Sequence, residues 1–264
     1  MQDIDSAMLT KSYTIIAIIP ARFGSTRFPG KALALIQNKP MIQWVYERTR
    51  MSRLINRVIV ATDDERIMRA VSYFGGESVM TSSSHATGTD RIAEVAQNIE
   101  CDIVVNVQGD EPLIQTAMID EAISPLVLDP SIPMSTLCKK ITEREEAFDP
   151  NIVKVVLDSN GFALYFSRAP IPWNRDCWAG IKSFSDLSLD GSMYKHIGLY
   201  VYRRDFLLDY SKMKQTTLEA TEKLEQLRVL EHGCRIKVTT TEHESFGVDI
   251  PDDLSKILQR LKES

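Results

Sequence analysis

The sequence predicts an α/β fold: a mostly parallel, doubly wound sheet with a smaller mixed-sheet insertion in the second half. Two observations carry this expectation. In the first half, short β-branched runs alternate with amphipathic stretches, at 15–19, 41–52, 57–61 and 64–74, the order expected of βαβ units. From 134 to 202 the alternation loosens into closely spaced strand candidates. A sheet wound in this way binds ligands beyond the carboxyl ends of its strands, so chemistry is expected in the loops that follow strands.

Taken in order, residues 15–19 are an apolar run closed by Pro20, much too short to span a bilayer and therefore a buried strand. A helix over 41–52, a strand over 57–61 and a helix over 64–74 follow. After Val79 comes the polar loop 81–87, and then Ile92, Val95, Ala96 and Ile99 recur at helical spacing. Residues 103–107 read as an apolar strand, and Ile119, Ala122, Ile123 and Leu126 mark the next helix. Strands are expected at 134–138, 153–157, 163–167 and 197–202, with a Pro/Trp-rich segment at 169–180 between them. The chain returns to helix around Leu224, Leu227 and Leu230, to strand at 235–240, and to a final helix after Pro251. No repeat, low-complexity tract or Gly/Ser linker interrupts it. The expectation is one domain over 15–264, a flexible extension at 1–14, and 134–202 as a continuous subregion.

Composition narrows the function. The 264 residues carry 44% hydrophobic and 25% charged side chains, ordinary for a globular protein with a substantial core. A formal net charge of −5 speaks against a protein built to coat nucleic acid. Cys101, Cys138, Cys177 and Cys234 lie far apart with no CxxC pair, which points to reduced thiols and a cytoplasmic setting. The start of the chain lacks the basic and apolar regions of a signal peptide.

The first strand runs into PARFGSTRFPGK at 20–31, where Gly24 and Gly30 accompany Arg22, Arg27 and Lys31. Glycines let backbone N–H groups approach phosphate oxygens, and the three cations can neutralise them, so triphosphate binding is the expected use. Five residues separate the glycines and Ala32 follows Lys31, which excludes a Walker loop; GxGxxG is also absent. Without a phosphate-loop hydroxyl, oxygen ligands for a metal must come from elsewhere. NVQGDEP at 106–112 sets Asp110 just beyond a buried strand, as magnesium would require, although Asp110 or Glu111 could equally cap the helix near Thr116. Asp249, in FGVDIPDD at 246–253, is a second candidate or a helix cap, and Asp252 and Asp253 suit the helix dipole. The loop 81–91, which includes His85, can hold a base and ribose, or Thr89 and Asp90 can simply cap a helix. Asp63 reads as the cap of the helix at 64–74. No HExxH, GxSxG or Cys–His arrangement suggests hydrolase chemistry.

These segments, in this order, resemble the 3-deoxy-manno-octulosonate (Kdo) cytidylyltransferases over nearly the whole chain after residue 14. The resemblance rests on IIPARFGSTRFPGK, VATDDERI, HATGTDRIAE, NVQGDEP, KVVLDSNGFALYFSRAPIPW, KHIGLYVYR, LEQLRVLEHG and GVDIPDDL together. It implies the nucleotide-diphospho-sugar transferase fold and a magnesium-dependent nucleotidyltransferase, usually a homodimer. Such an enzyme transfers CMP from CTP to Kdo, giving CMP-Kdo for lipopolysaccharide biosynthesis and pyrophosphate. On that resemblance Arg22 and Lys31 bind the CTP phosphates and Asp110 and Asp249 hold Mg2+, these four being the catalytic residues. Arg27, Gln108, Arg168, His196, Tyr200, Glu225 and Gln226 fall near the sugar acid, with Arg168 as the partner of its carboxylate and 134–202 as the sugar-binding and dimerisation subregion. Read without the resemblance, Tyr200 is a core aromatic on a strand and Glu225 an exposed helix charge, with similar alternatives for His196 and Gln226. Trp173 and Trp178 belong either to a dimer surface or to internal packing. Ala86, Thr87 and Ile250 depart from frequent family residues. Another acidic-sugar cytidylyltransferase, for 8-amino-Kdo or sialic acid, and a CTP-binding regulatory protein without catalysis are the competing expectations.

Overall fold

Ile15, Ile16, Ala17, Ile18 and Ile19 leave no polar face, a pattern that suits a strand covered on both sides. In the computed structural model these residues are almost fully buried and form the middle of the sheet. The structure describes residues 13–24, 27–178, 189 and 191–263. Most of the expected extension at 1–14, Ser25 and Thr26 of the cationic loop, and the end of the Pro/Trp-rich segment lie outside the described residues.

The elements of the first half are β1 (Ile15–Ala21), a 3₁₀ turn (Lys31–Leu33), β2 (Leu35–Ile36), β3 (Lys39–Pro40), α1 (Met41–Arg50), β4 (Arg57–Thr62), α2 (Glu65–Tyr73), β5 (Ser78–Met80), α3 (Gly88–Gln97), β6 (Ile103–Asn106) and α4 (Thr116–Leu128). The second half adds β7 (Met134–Lys140), α5 (Arg144–Phe148), β8 (Lys154–Leu157), β9 (Ala163–Ser167), α6 (Arg175–Trp178), β10 (Tyr194–Arg203), α7 (Arg204–Tyr210), α8 (Thr217–Glu222), α9 (Gln226–Glu231), β11 (Lys237–Thr240) and α10 (Asp253–Glu263).

The main sheet runs in the order β11-β7-β10-β6-β1-β4-β5, with β8 and β9 attached beside β10. β6, β1, β4 and β5 are parallel neighbours, as are β11 and β7, whereas β10 runs antiparallel to both β6 and β7. The loosely patterned stretch at 134–202 therefore joins the main sheet: β7 and β10 extend it, and the β8–β9 hairpin is the antiparallel addition. Alternation along β1 sends Ile15, Ala17 and Ile19 to a core that includes Ile42 of α1 and Ile119 of α4, and Ile16 and Ile18 to a core that includes Ile92 of α3 and Leu207 of α7.

Two local rules came out differently from the sequence pattern. The helix expected around Leu224, Leu227 and Leu230 begins only at Gln226 (α9), because Lys223 takes a left-handed conformation (φ 55°) that ends the preceding α8. Arg228 of α9 then folds back onto Glu219 of α8 in an almost buried ion pair. The cap of α2 is Asp64, which accepts from Arg66 N, and not Asp63. Asp63 instead receives the buried Arg91 guanidinium at 2.8 Å. Trp178 is packed inside against Phe148, while Trp173 is exposed.

Parallel strands ending together bring the loops after β1, β4, β5 and β6 to one edge. There the backbone itself is tight: a Cβ on Gly109 would lie 2.8 Å from the Pro20 carbonyl oxygen. Gly109→Ala must push the β1 and β6 exits apart, and is expected to lower stability by about 1–3 kcal/mol in urea unfolding. A midpoint equal to that of the parent chain would show that the two loops are not in fixed contact.

Candidate active site

Gly30 stands at φ 72°, where a side chain would be strained and would also press on the Phe23 ring, and this turn delivers Lys31 inward. The Lys31 ammonium donates to Asp110 Oδ2 at 2.5 Å and to the Val248 carbonyl at 2.8 Å, and lies 3.8 Å from Asp249 Oδ1. Asp110 follows β6 directly. Asp249 reaches the same place because the segment after β11 crosses back over the sheet edge, where Val248 N donates to the Asp110 carbonyl at 2.9 Å. Val248 is buried with Ile36, Met41, Leu113 and Ile257, which pins this crossing under α10. Asp249 does not cap α10; Asp253 accepts from the Asp249 and Ile250 N–H groups instead. Arg27 makes a two-pronged pair with Asp249 at 3.0 and 3.2 Å, exposed enough for solvent to screen it. Arg22 is exposed and has no ion pair among the described residues.

Arg22, Arg27, Lys31, Gln108, Asp110, Glu225 and Asp249 share one cavity of about 390 Å³ with the 85–88 loop. That loop enters α3 through a capping box in which the Thr87 hydroxyl accepts from Asp90 N and the Asp90 carboxylate accepts from Thr87 N. His85 pairs with Glu94, whose carboxyl is held below its ordinary range chiefly by that contact. Arg91, tied to Asp63 and Thr81, forms part of the cavity wall.

A second cavity of about 570 Å³ is lined by His196, Tyr200, Glu225 and Gln226, together with Glu111, Lys195 and Lys223. It is shaped by a bulge in β10 opposite β7, between Ile197 and Tyr200. The Thr136 hydroxyl donates to the bulge carbonyls of Ile197 and Leu199, and the Gln108 amide donates to the Gly198 carbonyl at 3.2 Å. With its only proton so used, Thr136 Oγ1 must accept from His196 Nε2, 3.0 Å away, which leaves Nδ1 as the acceptor of that ring. Burial pushes the His196 imidazole down to about 3, so it is neutral at physiological pH. Burial, with the Glu225 charge adding to it, pushes the Tyr200 phenol up, so it stays protonated. Burial also raises Glu225, opposed by hydrogen bonds from Thr89 and Thr87 that favour its charged form.

The residues singled out in sequence thus fall into two adjoining cavities, with one exception. Arg168 is not among the described residues lining either cavity. Its guanidinium is taken by the Glu222 and Pro150 carbonyls, each at 2.8 Å, and its backbone N–H by the Glu222 carboxylate. The cations that do line the second cavity are Lys195, paired with Glu146 and Glu244, and Lys223. Neither sits in a motif whose spacing signals chemistry; only the unusual backbone of Lys223 marks it, and that is invisible in sequence.

Comparison with known proteins places the chain in a family. A family model described as cytidylyltransferase matches residues 16–238, which sets the class. Relatives named 3-deoxy-manno-octulosonate cytidylyltransferase include those of Geobacter sulfurreducens, 60% identical over 94% of this chain and 99% of that protein, and Geotalea daltonii, 61% identical over 94% and 98%. The chain belongs to the 3-deoxy-manno-octulosonate cytidylyltransferase family. A solved CMP:2-keto-3-deoxy-manno-octonic acid synthetase complexed with CTP superimposes with a TM-score of 0.87 at 41% identity, covering 95% of this chain and 99% of that one. The fold also recurs in 4-diphosphocytidyl-2C-methyl-D-erythritol synthase of Anaerococcus prevotii, with a TM-score of 0.61 at 13% identity over 96% of this chain and 100% of that one. No helix among the described residues is long and apolar enough to cross a membrane.

Glu111, between Asp110 and the second cavity, is the buried carboxyl of the site. Burial pushes it up to about 7, against a hydrogen bond from Ser245 at 2.6 Å, with the Asp110 charge adding to the rise. The folded chain therefore keeps this proton to higher pH than the unfolded chain, whose glutamates ionise near about 4.3. Folding takes up a proton between those values, so this group's contribution to stability declines as pH rises from about 4 to about 7. Urea unfolding over that range should lose less stability in Glu111→Gln than in the parent chain. An identical pH dependence would show that Glu111 is already ionised in the fold.

Proposed function

We propose that the chain joins CMP from CTP to Kdo and releases pyrophosphate, with CTP in the first cavity and the sugar acid in the second. The observation that carries this reading is the convergence of Asp110 and Asp249 on Lys31 in a cationic cavity that adjoins, through Glu225, a second one lined by hydrogen-bonding groups. In the reaction the anomeric hydroxyl oxygen of Kdo attacks the α-phosphorus in line, and the bond to the pyrophosphate oxygen breaks on the opposite side.

Arg22, Arg27 and Lys31 hold and neutralise the phosphates, and stabilise the charge that grows on the leaving pyrophosphate. On the acceptor side His196 Nδ1 and the Glu225 carboxylate accept sugar hydroxyls, while Tyr200 donates. Gln108 lines the first cavity, and its amide also secures the β10 bulge that carries His196 and Tyr200.

Magnesium is part of this reading. No group of three or more His, Cys, Asp or Glu among the described residues could hold a metal by itself. Two carboxylates at a phosphate cavity nevertheless fit magnesium, which is commonly bound by one or two protein carboxylates plus substrate phosphates and water. Asp110 and Asp249 would hold it, and when bound it supplies charge neutralisation at the α-phosphate and a more acidic attacking hydroxyl. Lys31 keeps the two carboxylates close without it. The reading also includes a cytoplasmic homodimer joined through 134–202, supported by the free thiols and by exposed Leu164 and Trp173.

Pyrophosphate release with CTP, Kdo and magnesium, followed by identification of CMP-Kdo, tests the whole proposal. Asp110→Asn and Asp249→Asn keep size but remove charge, and each should slow turnover by on the order of 10³-fold while the melting curve is retained. Because the two act as one site, the double variant should lose far less than the product of the single losses. Near-parental turnover in folded Asp249→Asn would remove that residue from the metal site.

A further inference from the structure

Among the described residues, Glu225 is the one that lines both cavities. Its backbone is fixed, because the Tyr210 hydroxyl donates to the Glu225 carbonyl at 2.8 Å. Its carboxylate makes no ion pair among the described residues. What it receives are the Thr89 hydroxyl, at 2.8 Å across 136 residues of chain, and the Thr87 hydroxyl. A largely enclosed carboxylate bonded only by neutral hydroxyls retains acceptor capacity, and leaving that capacity unused is costly.

Thr89 takes no part in capping its own helix, although its hydroxyl also meets the Tyr202 phenol. It stands in the first turn of α3, but the capping of that helix is done by Thr87 and Asp90. Its hydroxyl is therefore surplus to the helix. The side chain is buried, so it does not itself line either cavity, whereas its neighbours Thr87 and Gly88 line the nucleotide cavity. Gln226, next to Glu225, lines the acceptor cavity.

We propose that Thr89 is a positioning residue for the acceptor sugar: although it sits on the nucleotide-side helix, its hydroxyl holds the Glu225 carboxylate in the orientation that accepts a hydroxyl of the sugar acid. Loss of this hydrogen bond frees the carboxylate to turn, which weakens sugar binding and leaves nucleotide binding to the Thr87–Asp90 cap and the cationic loop. The inference rests on the reading that the second cavity takes the sugar acid.

The experiment is steady-state pyrophosphate release with Kdo varied at saturating CTP and with CTP varied at saturating Kdo. It uses the parent chain, Thr89→Val, Thr89→Ser and Glu225→Ala, and the Thr89→Val/Glu225→Ala pair. Thr89→Val is nearly isosteric and lacks only the donor; it should raise the KM for Kdo about tenfold and change the KM for CTP by less than about twofold. Thr89→Ser restores the donor and should return the Kdo value to within about twofold of the parent. In the Glu225→Ala background, Thr89→Val should add nothing further, since its target is gone. A parental KM for Kdo in Thr89→Val, an equal rise for both substrates, failure of Thr89→Ser to restore, or independent effects in the double variant would each overturn the proposal. Should Thr89→Val fail to fold, Thr89→Ala replaces it with the same expectations. A parent chain that makes no CMP-Kdo would instead overturn the functional reading itself, whereas an active parent with an indifferent Thr89→Val defeats this inference alone.

Discussion

The Lys31 ammonium bonds oxygens from segments 79 and 217 residues further along the chain, and most of the site geometry follows from that one group. A half-enclosed ammonium must have its three donors met, and two carboxylates brought close together repel unless a cation stands between them. Each need answers the other. The Val248 carbonyl and the Val248 N–H, bonded to Lys31 and Asp110 respectively, turn the same contact into a clamp on the returning C-terminal segment. Screened pairs such as Arg27–Asp249 add little to stability, but they keep cations beside the carboxylates.

The two cavities meet their ligands by different physics. The first uses formal charge, in keeping with a polyanionic triphosphate. The second presents an imidazole and a phenol that burial keeps neutral, beside Glu225, whose carboxyl burial raises while hydroxyl bonds favour its charged form. Such groups read the pattern of hydroxyls on a sugar rather than its charge alone, and a site built to bond a hydroxyl rejects an analogue lacking it far better than an apolar pocket rejects an extra group.

Much of this was legible before any coordinates. The β-branched runs of the first half located β1, β4 and β6 because parallel strands buried on both faces have no choice but continuous apolarity. The loop with Gly30 and Lys31 announced itself by cation density after a strand. Asp249 could not be separated from a helix cap by local pattern, since its meeting with Asp110 depends on a crossing of the sheet edge; only the family resemblance singled it out. Arg168 was singled out by a family motif, but its contacts could not be read there: the Pro150 and Glu222 carbonyls accept from its guanidinium, and no sequence rule anticipates backbone acceptors from distant turns. The left-handed backbone of Lys223, where α8 ends and the chain turns into α9, is likewise not signalled by its residue type.

β10 is ten residues long, but its partner β6 has four, and Tyr200 is already opposite Asn106, the last residue of β6. Residues 194–199 therefore project beyond the β6 side of the sheet like a cantilever, braced by β7 and, at Tyr194 and Lys195, by β8. Running against its neighbours, this strand contributes its beginning, not its end, to the edge where the parallel strands finish. Under the proposed assignment, the nucleotide is held by the parallel core and the acceptor by an overhang. Changes to the overhang can alter which sugar acid fits while the phosphate machinery at the foot of β1 and β6 keeps its geometry, so a single scaffold can serve new acceptors without relearning how to hold a triphosphate.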